Sequence, residues 1–162
     1  MGKTVSMTQI VAEPGTQQIE ITREFNAPRE LLFRAFTEPD LVVQWLGPRD
    51  LTMTLDYSEL RDGGRWRFIH TDADGNEYGF RGVLHGDPSV DGITRTFEYE
   101  GAPGHVSLER ATFEDRGGRT LLRTLSVFQS VADRDAMIAS GMEYGVKDSM
   151  DRLEDLLERL AR

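Results

Sequence analysis

Between Leu51 and Phe128 the chain is cut at short intervals by turn-forming clusters: Asp62-Gly63-Gly64, Asp74-Gly75-Asn76, Gly86-Asp87-Pro88, Asp91-Gly92, Pro103-Gly104 and Gly117-Gly118. Glycine tolerates the backbone conformations that tight turns need, and Asp and Asn close local side chain–backbone hydrogen bonds, so clusters of this kind end strands. The segments between them, residues 51–59, 65–71, 78–85, 93–100, 105–114 and 119–128, all have strand length. Consecutive strands joined by turns this short must run antiparallel, because a parallel neighbour needs a crossover of about a dozen residues or more. The pattern predicts a six-stranded meander.

Side chains two apart on a strand share a face. Trp66, Phe68 and His70 therefore form one set, opposite Arg65, Arg67 and Ile69, and Tyr78, Phe80, Gly82 and Leu84 form the apolar set of the next strand. Bringing the two sets to one face requires partners whose numbers sum to an even value. That implies an odd loop length around Asp74-Gly75. Ile93, Phe97 and Tyr99 give a further inward set with Arg95 between them. A charge on that face should meet a carboxylate or a ligand anion, since an unpaired one is costly to bury.

Upstream, residues 17–25 alternate as a half-buried strand ending at Phe25. Pro28 suits a first helical position, with Leu31, Leu32, Ala35 and Phe36 as the apolar stripe. A second short helix begins at Thr37-Glu38-Pro39-Asp40, where Thr37 with Asp40 resembles a capping box, carries Leu41, Val42, Trp45 and Leu46, and stops at Gly47-Pro48. From about Asp133 to Ala161 one long helix is predicted, with Ile138, Met142, Val146, Met150 (or Ser149), Leu153, Leu156, Leu157 and Leu160 at helical spacing. Its other side, with Lys147, Asp148, Asp151, Arg152, Asp155, Glu158 and Arg159, reads as solvated.

This order has one economical packing: a two-layer α+β domain in which a curved antiparallel sheet of about seven strands wraps around the long C-terminal helix, with two short helices after the first strand. The domain covers residues 17–162, preceded by a flexible arm over residues 1–16 that holds Pro14-Gly15. The formal net charge of −9 opposes attraction to nucleic-acid phosphates or anionic headgroups. The absence of cysteine removes disulfides and thiolate chemistry and suits a reducing compartment. No apolar run approaches the length of a membrane span, and no signal-peptide core is present, so a cytoplasmic protein is expected. Met1-Gly2-Lys3-Thr4-Val5-Ser6 formally matches an N-acylation pattern, though the match is short.

A curved sheet over a helix tends to leave a concave apolar space suited to a small ligand. Ligand contacts are expected from Trp45, Trp66, Phe68, His70, Tyr78 and Phe80, from Phe97 and Tyr99, and from Gly141, Met142, Gly145 and Val146 on the helix. A glycine inside a helix costs about 1 kcal/mol relative to alanine. Gly141 and Gly145 therefore either leave volume for a ligand, admit bulky sheet residues such as Trp66 or Phe97, or mark a kink. The flexible side chains of Met137, Met142 and Met150 either shape an adaptable pocket or fill gaps in the core.

No catalytic motif is evident and no cofactor or metal is implied. His70, His85 and His105 form no close ligand pair. The glycine pairs Gly63-Gly64 and Gly117-Gly118 lack a following Lys-Ser/Thr. Ser126, Ser130 and Ser140 have no evident triad partners. His70 is a proton-transfer group, with Tyr78 or Tyr99 as further candidates, a polar hook for a ligand, or a buried histidine satisfied by a neighbouring hydroxyl.

Several stretches together carry a family resemblance. They are Phe25-Asn26-Ala27-Pro28-Arg29-Glu30-Leu31-Leu32-Phe33-Arg34-Ala35-Phe36-Thr37-Glu38-Pro39-Asp40-Leu41, Gln44-Trp45-Leu46-Gly47-Pro48, Gly63-Gly64-Arg65-Trp66, Gly141-Met142-Glu143-Tyr144-Gly145 and Ser149-Met150-Asp151-Arg152-Leu153. In this order, over roughly residues 17–161, they resemble the bacterial activator-of-heat-shock-ATPase-homologue family of the START-like, SRPBCC or helix-grip superfamily. The resemblance implies the helix-grip fold with a cavity between helix and sheet. With that cavity the expected function is binding of a hydrophobic small molecule, lipid-like or aromatic, by a monomer or homodimer, with no nucleic-acid partner and no membrane insertion. The alternatives are a co-chaperone-like stress-response protein that contacts a chaperone, and a cyclase- or aromatase-type enzyme using the same cavity. In the eukaryotic co-chaperone a separate N-terminal domain is important for chaperone contact, and none is expected within these 162 residues. Val146 stands where many members place tryptophan, a change that enlarges the cavity or alters its ligand.

Overall fold

The computed structural model describes residues 7–162. The acylation-like hexapeptide at residues 1–6 lies outside them. The elements run β1 (Gln9–Val11), β2 (Gln18–Phe25), α1 (Arg29–Thr37), α2 (Pro39–Val42), β3 (Thr52–Ser58), β4 (Arg65–Thr71), β5 (Glu77–Val83), β6 (Ile93–Tyr99), β7 (Val106–Arg116), β8 (Arg119–Val127), α3 (Val131–Ala139) and α4 (Met142–Leu160). All strands belong to one antiparallel sheet of order β1-β2-β8-β7-β6-β5-β4-β3. The meander β3–β8 follows the turn chemistry, and β2 then pairs along β8 from Gln18↔Val127 to Phe25↔Thr120.

The sheet has eight strands, one more than expected. The extra one, β1, lies inside the segment expected as a loose arm and pairs with β2 at Ile10↔Ile21. Three residues are too few to show a period; pairing along the open side of β2 orders them. Across β4 and β5 the partners are Trp66↔Gly82, Phe68↔Phe80 and His70↔Tyr78, each summing to 148 and joined by the odd loop 72–76. β5 and β6 share only Phe80↔Tyr99 and Arg81↔Glu98 before an isolated bridge at Leu84↔Arg95. The ladder is interrupted beside Gly82, where a Cβ would lie 1.9 Å from the Thr96 carbonyl oxygen.

One face of the sheet carries the core, closed by α1, α2 and α4. Leu32 and Ala35 of α1 and Met150, Leu153, Leu156 and Leu157 of α4 pack with Phe25, Trp66, Phe68, Phe113 and Leu122 from the strands. Trp45 is buried, and its indole N–H donates to the Ala35 carbonyl at 2.8 Å. The short helices start differently from the sequence expectation. Pro28 is the residue before α1, not its first. Glu38 precedes α2 with Pro39 at its first turn, and Thr37 donates its hydroxyl back to the Phe33 carbonyl instead of capping with Asp40. A helical hydroxyl within reach of the carbonyl four residues back takes that local bond.

The predicted long helix is two helices. α3 ends at Ala139 and α4 begins at Met142, with Gly141 between them at φ +86°. That left-handed conformation ends helices at low cost only for glycine. Gly141 therefore turns the chain, the outcome foreseen as a kink.

Nor is the outer side of α4 uniformly solvated. Arg23 of β2, with a side chain only 3% exposed, holds Asp151 at 2.7 Å and Glu154 at 2.9 Å. Asp148 accepts from the Arg49 backbone N–H, and Arg152 donates to the carbonyls of Gln44, Gly47 and Pro48. Periodicity marks these positions as polar, and tertiary neighbours decide that they are used.

Candidate functional site

The inward faces of β4, β5 and β6 form a continuous aromatic wall. Ring centroids lie 5.3 Å apart for Trp66–Phe68, 5.1 Å for Phe68–Phe80, 5.5 Å for Phe80–Phe97 and 5.2 Å for Phe80–Tyr99. Each distance falls in the range where aromatic pairs attract beyond simple burial. Two spaces adjoin this wall. The smaller, about 100 Å³, lies toward α1 and α2 and is lined by Phe36, Trp45, Met53, Leu55, Trp66, Phe68, Arg95 and Glu109, among others. The larger, about 810 Å³, lies toward α3 and is lined by His70, Tyr78, Phe80, Phe97 and Tyr99 from the wall and by Ala136, Met137 and Ser140 from the helix side.

The smaller space holds an internally balanced charge. Arg95 does face inward: its guanidinium lies 4.1 Å from the Trp66 ring centroid and its Nε is 3.3 Å from Glu109. Ser126 adds a hydroxyl donor to the same carboxylate at 3.4 Å. The cation thus has its carboxylate without any ligand.

The wall positions expected from alternation are brought together, but they divide. Trp45, Trp66 and Phe68 line the smaller space, whereas His70, Tyr78, Phe80, Phe97 and Tyr99 line the larger. Phe80 packs on Phe68 and Phe97 lies 6.0 Å from Trp66, so these rings stand between the two. Gly141, Met142, Gly145 and Val146 line neither space. A Cβ on Gly145 would meet only Pro48, at 3.8 Å, and Val146 packs on the core cluster. The break at Gly141 is the physical reason: it is α3, not the glycine-bearing turn of α4, that faces the larger space. Of the methionines weighed for an adaptable pocket, Met137 lines the cavity and Met150 is core.

Sequence reasoning did not find the rest of the lining: Asp50, Leu51, Asp72, Ala102, His105, Val106, Ser107, Phe128, Asp133, Ala136 and Ser140. Most come from loops and strand ends, which carry no period. For Ser107 the signal existed, since it lies two alternation steps from Ala111 on β7 and pairs directly with Phe97.

The polar groups around the larger space are built into local structure. The Asp72 carboxylate accepts from the backbone N–H groups of Asp74 and Asn76, from the Asn76 side chain and from the Tyr78 hydroxyl. The Asn76 bonds above all hold its pKa below the ordinary carboxylate value. The hydrogen bond to Asp72 in turn raises the Tyr78 pKa, so this phenol keeps its proton. His105 Nδ1 lies 2.9 Å from Asp133 at the rim.

His70 is buried, 8% exposed, and its Nε2 has no hydrogen-bond partner. Its ring lies against Gly47, where a Cβ would come within 2.6 Å of Cε1. Burial lowers its pKa below 6.5, assisted by the Arg152 charge and opposed by a bond with the Leu46 backbone. His70 is therefore neutral in the folded protein at pH 7, whereas the unfolded chain takes up its proton first as the medium is acidified. Stability is full above about pH 6.5 and falls as pH drops through the window below it. Urea melts between pH 7.5 and 5 should show this loss, and His70→Gln should flatten it; an unchanged slope in the variant would rule out His70 as its origin. The depressed carboxylates Asp72, Glu98 and Glu100 act at lower pH, so the two windows separate.

An open antiparallel sheet whose inner face holds a C-terminal helix, with an aromatic-walled space beside it, defines a START-like helix-grip domain. Three solved structures of this architecture share nearly the whole chain. A protein from Rhodobacter sphaeroides is 27% identical, covering 94% of this chain and 99% of its own at a TM-score of 0.85. One from Arthrobacter aurescens is 20% identical, covering 93% and 91% at 0.86. One from Mycobacterium smegmatis is 21% identical, covering 93% and 96% at 0.83. No curated protein matches. The chain belongs to the Activator of Hsp90 ATPase homolog 1-like protein family, whose model matches residues 26–158. No helix of the described residues is long and apolar enough to cross a membrane.

Proposed function

We propose that this protein binds a hydrophobic small molecule with an aromatic or lipid-like body in the space between α3 and the sheet. The observation that carries the reading is the 810 Å³ volume walled by Phe80, Phe97, Tyr78 and Tyr99. Drug-sized ligands occupy apolar pockets of about 300–1,000 Å³ with a few placed polar groups. Start-like folds often hold such ligands, and family membership agrees with the reading. The smaller space, at about 100 Å³, suits no ligand of that size. Stimulation of a chaperone ATPase, which the family's name suggests, is supported by the name and by no residue described above. Cyclase or aromatase chemistry would draw on His70, Tyr78 or Tyr99 for proton transfer, and the Tyr78 hydroxyl is instead tied to Asp72, which raises its pKa.

Thermal shift with lipids, flavonoids and aromatic polyketides should show saturable stabilisation. At ligand concentrations about 100-fold above Kd the gain is about 2.7 kcal/mol. Ala136→Trp, which places a bulky ring from α3 into the space, should leave the free protein's melting nearly unchanged and abolish the shift. A shift that survives this plug would move the ligand elsewhere.

A further inference from the structure

The lining of the larger cavity is asymmetric in charge. Asp50, Asp72 and Asp133 contribute carboxylates to it, and neither lysine nor arginine is among its lining residues. Of the two lining histidines, His70 is buried and neutral, and His105 is turned to Asp133 at 2.9 Å. Asp72 is fixed in place by four hydrogen bonds and lies 3.1 Å from the Tyr78 hydroxyl, so a carboxylate sits at the edge of the aromatic wall. Arg152, whose charge helps to lower the His70 pKa, is occupied by three backbone carbonyls. Arg95 is paired with Glu109 in the other space.

From this arrangement we infer that the cavity selects a ligand bearing a positive charge, an amine or quaternary ammonium on a hydrophobic or aromatic body. The inference rests on the proposed binding function and names the chemical class that would fill the site. Tyr78, Phe80, Phe97 and Tyr99 line the space, and aromatic rings attract ammonium groups at their electron-rich faces. The carboxylates supply counter-charge at the rim. A fatty acid or other anion entering the same space would lose its hydration and meet neither a lysine nor an arginine, which is unfavourable. The net charge of −9 acts in the same direction by raising the local concentration of cations.

The test compares three probes with one tail, decyltrimethylammonium, 1-decanol and decanoate, each below its micelle or solubility limit, by calorimetric titration of the full chain. Decyltrimethylammonium should bind about tenfold tighter than decanoate at low salt, with decanol between them. The preference should shrink in Asp50→Asn, and in Asp72→Asn provided that variant's circular dichroism and melting are native. Ala136→Trp should remove binding of all three. Decanoate or decanol binding as tightly as the ammonium overturns the charge assignment and leaves the cavity reading intact. Ammonium binding that persists in Ala136→Trp places the cation on the acidic surface and overturns the assignment as well. Failure of all three probes to bind the unaltered chain overturns both.

Discussion

Gly82→Ala should lower the melting midpoint by about 10 °C. The position on β5 is inside a strand, where glycine ordinarily weakens packing and alanine would be an improvement. Here an added Cβ would lie 1.9 Å from the Thr96 carbonyl oxygen and 2.7 Å from the Trp66 indole nitrogen. The first obstacle is backbone, so relief requires β5 and β6 to separate, and that loosens the Val83 N–H bond to the Thr96 hydroxyl at 2.9 Å. Overpacking of this kind costs about 3 kcal/mol at the upper end, which for a domain of this length is about 10 °C. Ligand binding should fall with it, because Phe80, Phe97 and Tyr99 stand on the two strands that move. Gly145→Ala is the matched control. Its Cβ would meet only Pro48 at an ordinary 3.8 Å, so helix propensity should make it stabilising by about 0.5–1 kcal/mol. Calorimetric melts of the pair decide the matter; a Gly82→Ala midpoint within about 2 °C of the unaltered protein would show that the strands yield freely.

Ser149→Ala should destabilise by about 2–4 kcal/mol although it removes a single oxygen. The hydroxyl is buried between α4 and the loop after α2, donating to the Trp45 carbonyl at 2.9 Å and accepting from the Gly47 N–H at 3.0 Å. Deleting it leaves both backbone groups buried without partners, at about 1–3 kcal/mol each. The loss should also reach the site, since Gly47 backs the His70 ring and the following residues Asp50 and Leu51 line the larger cavity. Urea titration of Ser149→Ala beside Asp155→Ala gives the comparison. The Asp155 side chain is 56% exposed and only 3.4 Å at best from Arg49, so its removal should change stability by less than about 0.5 kcal/mol. Equal effects from the two would show that the buried hydroxyl is not the tie between helix and loop.

Much of the fold is legible before any coordinates. The turn clusters set the ends of the meander strands, and alternation put Trp66, Phe68, His70, Tyr78, Phe80, Phe97 and Tyr99 on one face, where each is found. The odd loop between β4 and β5 followed from the same alternation. Less legible were features in which two readings share one pattern. Apolar spacing passes smoothly from Ile138 to Met142, yet Gly141 at φ +86° breaks the helix there, because a hydrophobic period records which side is buried and not whether the backbone continues. Ser149, weighed against Met150 as an apolar position, is a hydrogen-bonding clamp, and only the loop it faces makes it one.

The sequence by itself determined the order of the meander strands β3 to β8, the odd loop between β4 and β5 and the composition of the aromatic wall. These depend on neighbours two or a few residues apart, and such relations are written directly in the chain. The tertiary structure alone decided that the wall borders two spaces of unequal size, that α3 rather than Gly141 and Gly145 covers the larger, and that three carboxylates collect around it. Those outcomes depend on distances between residues as far apart as Asp50, Asp72 and Asp133, which come together only when helix and sheet have packed and excluded the solvent between them.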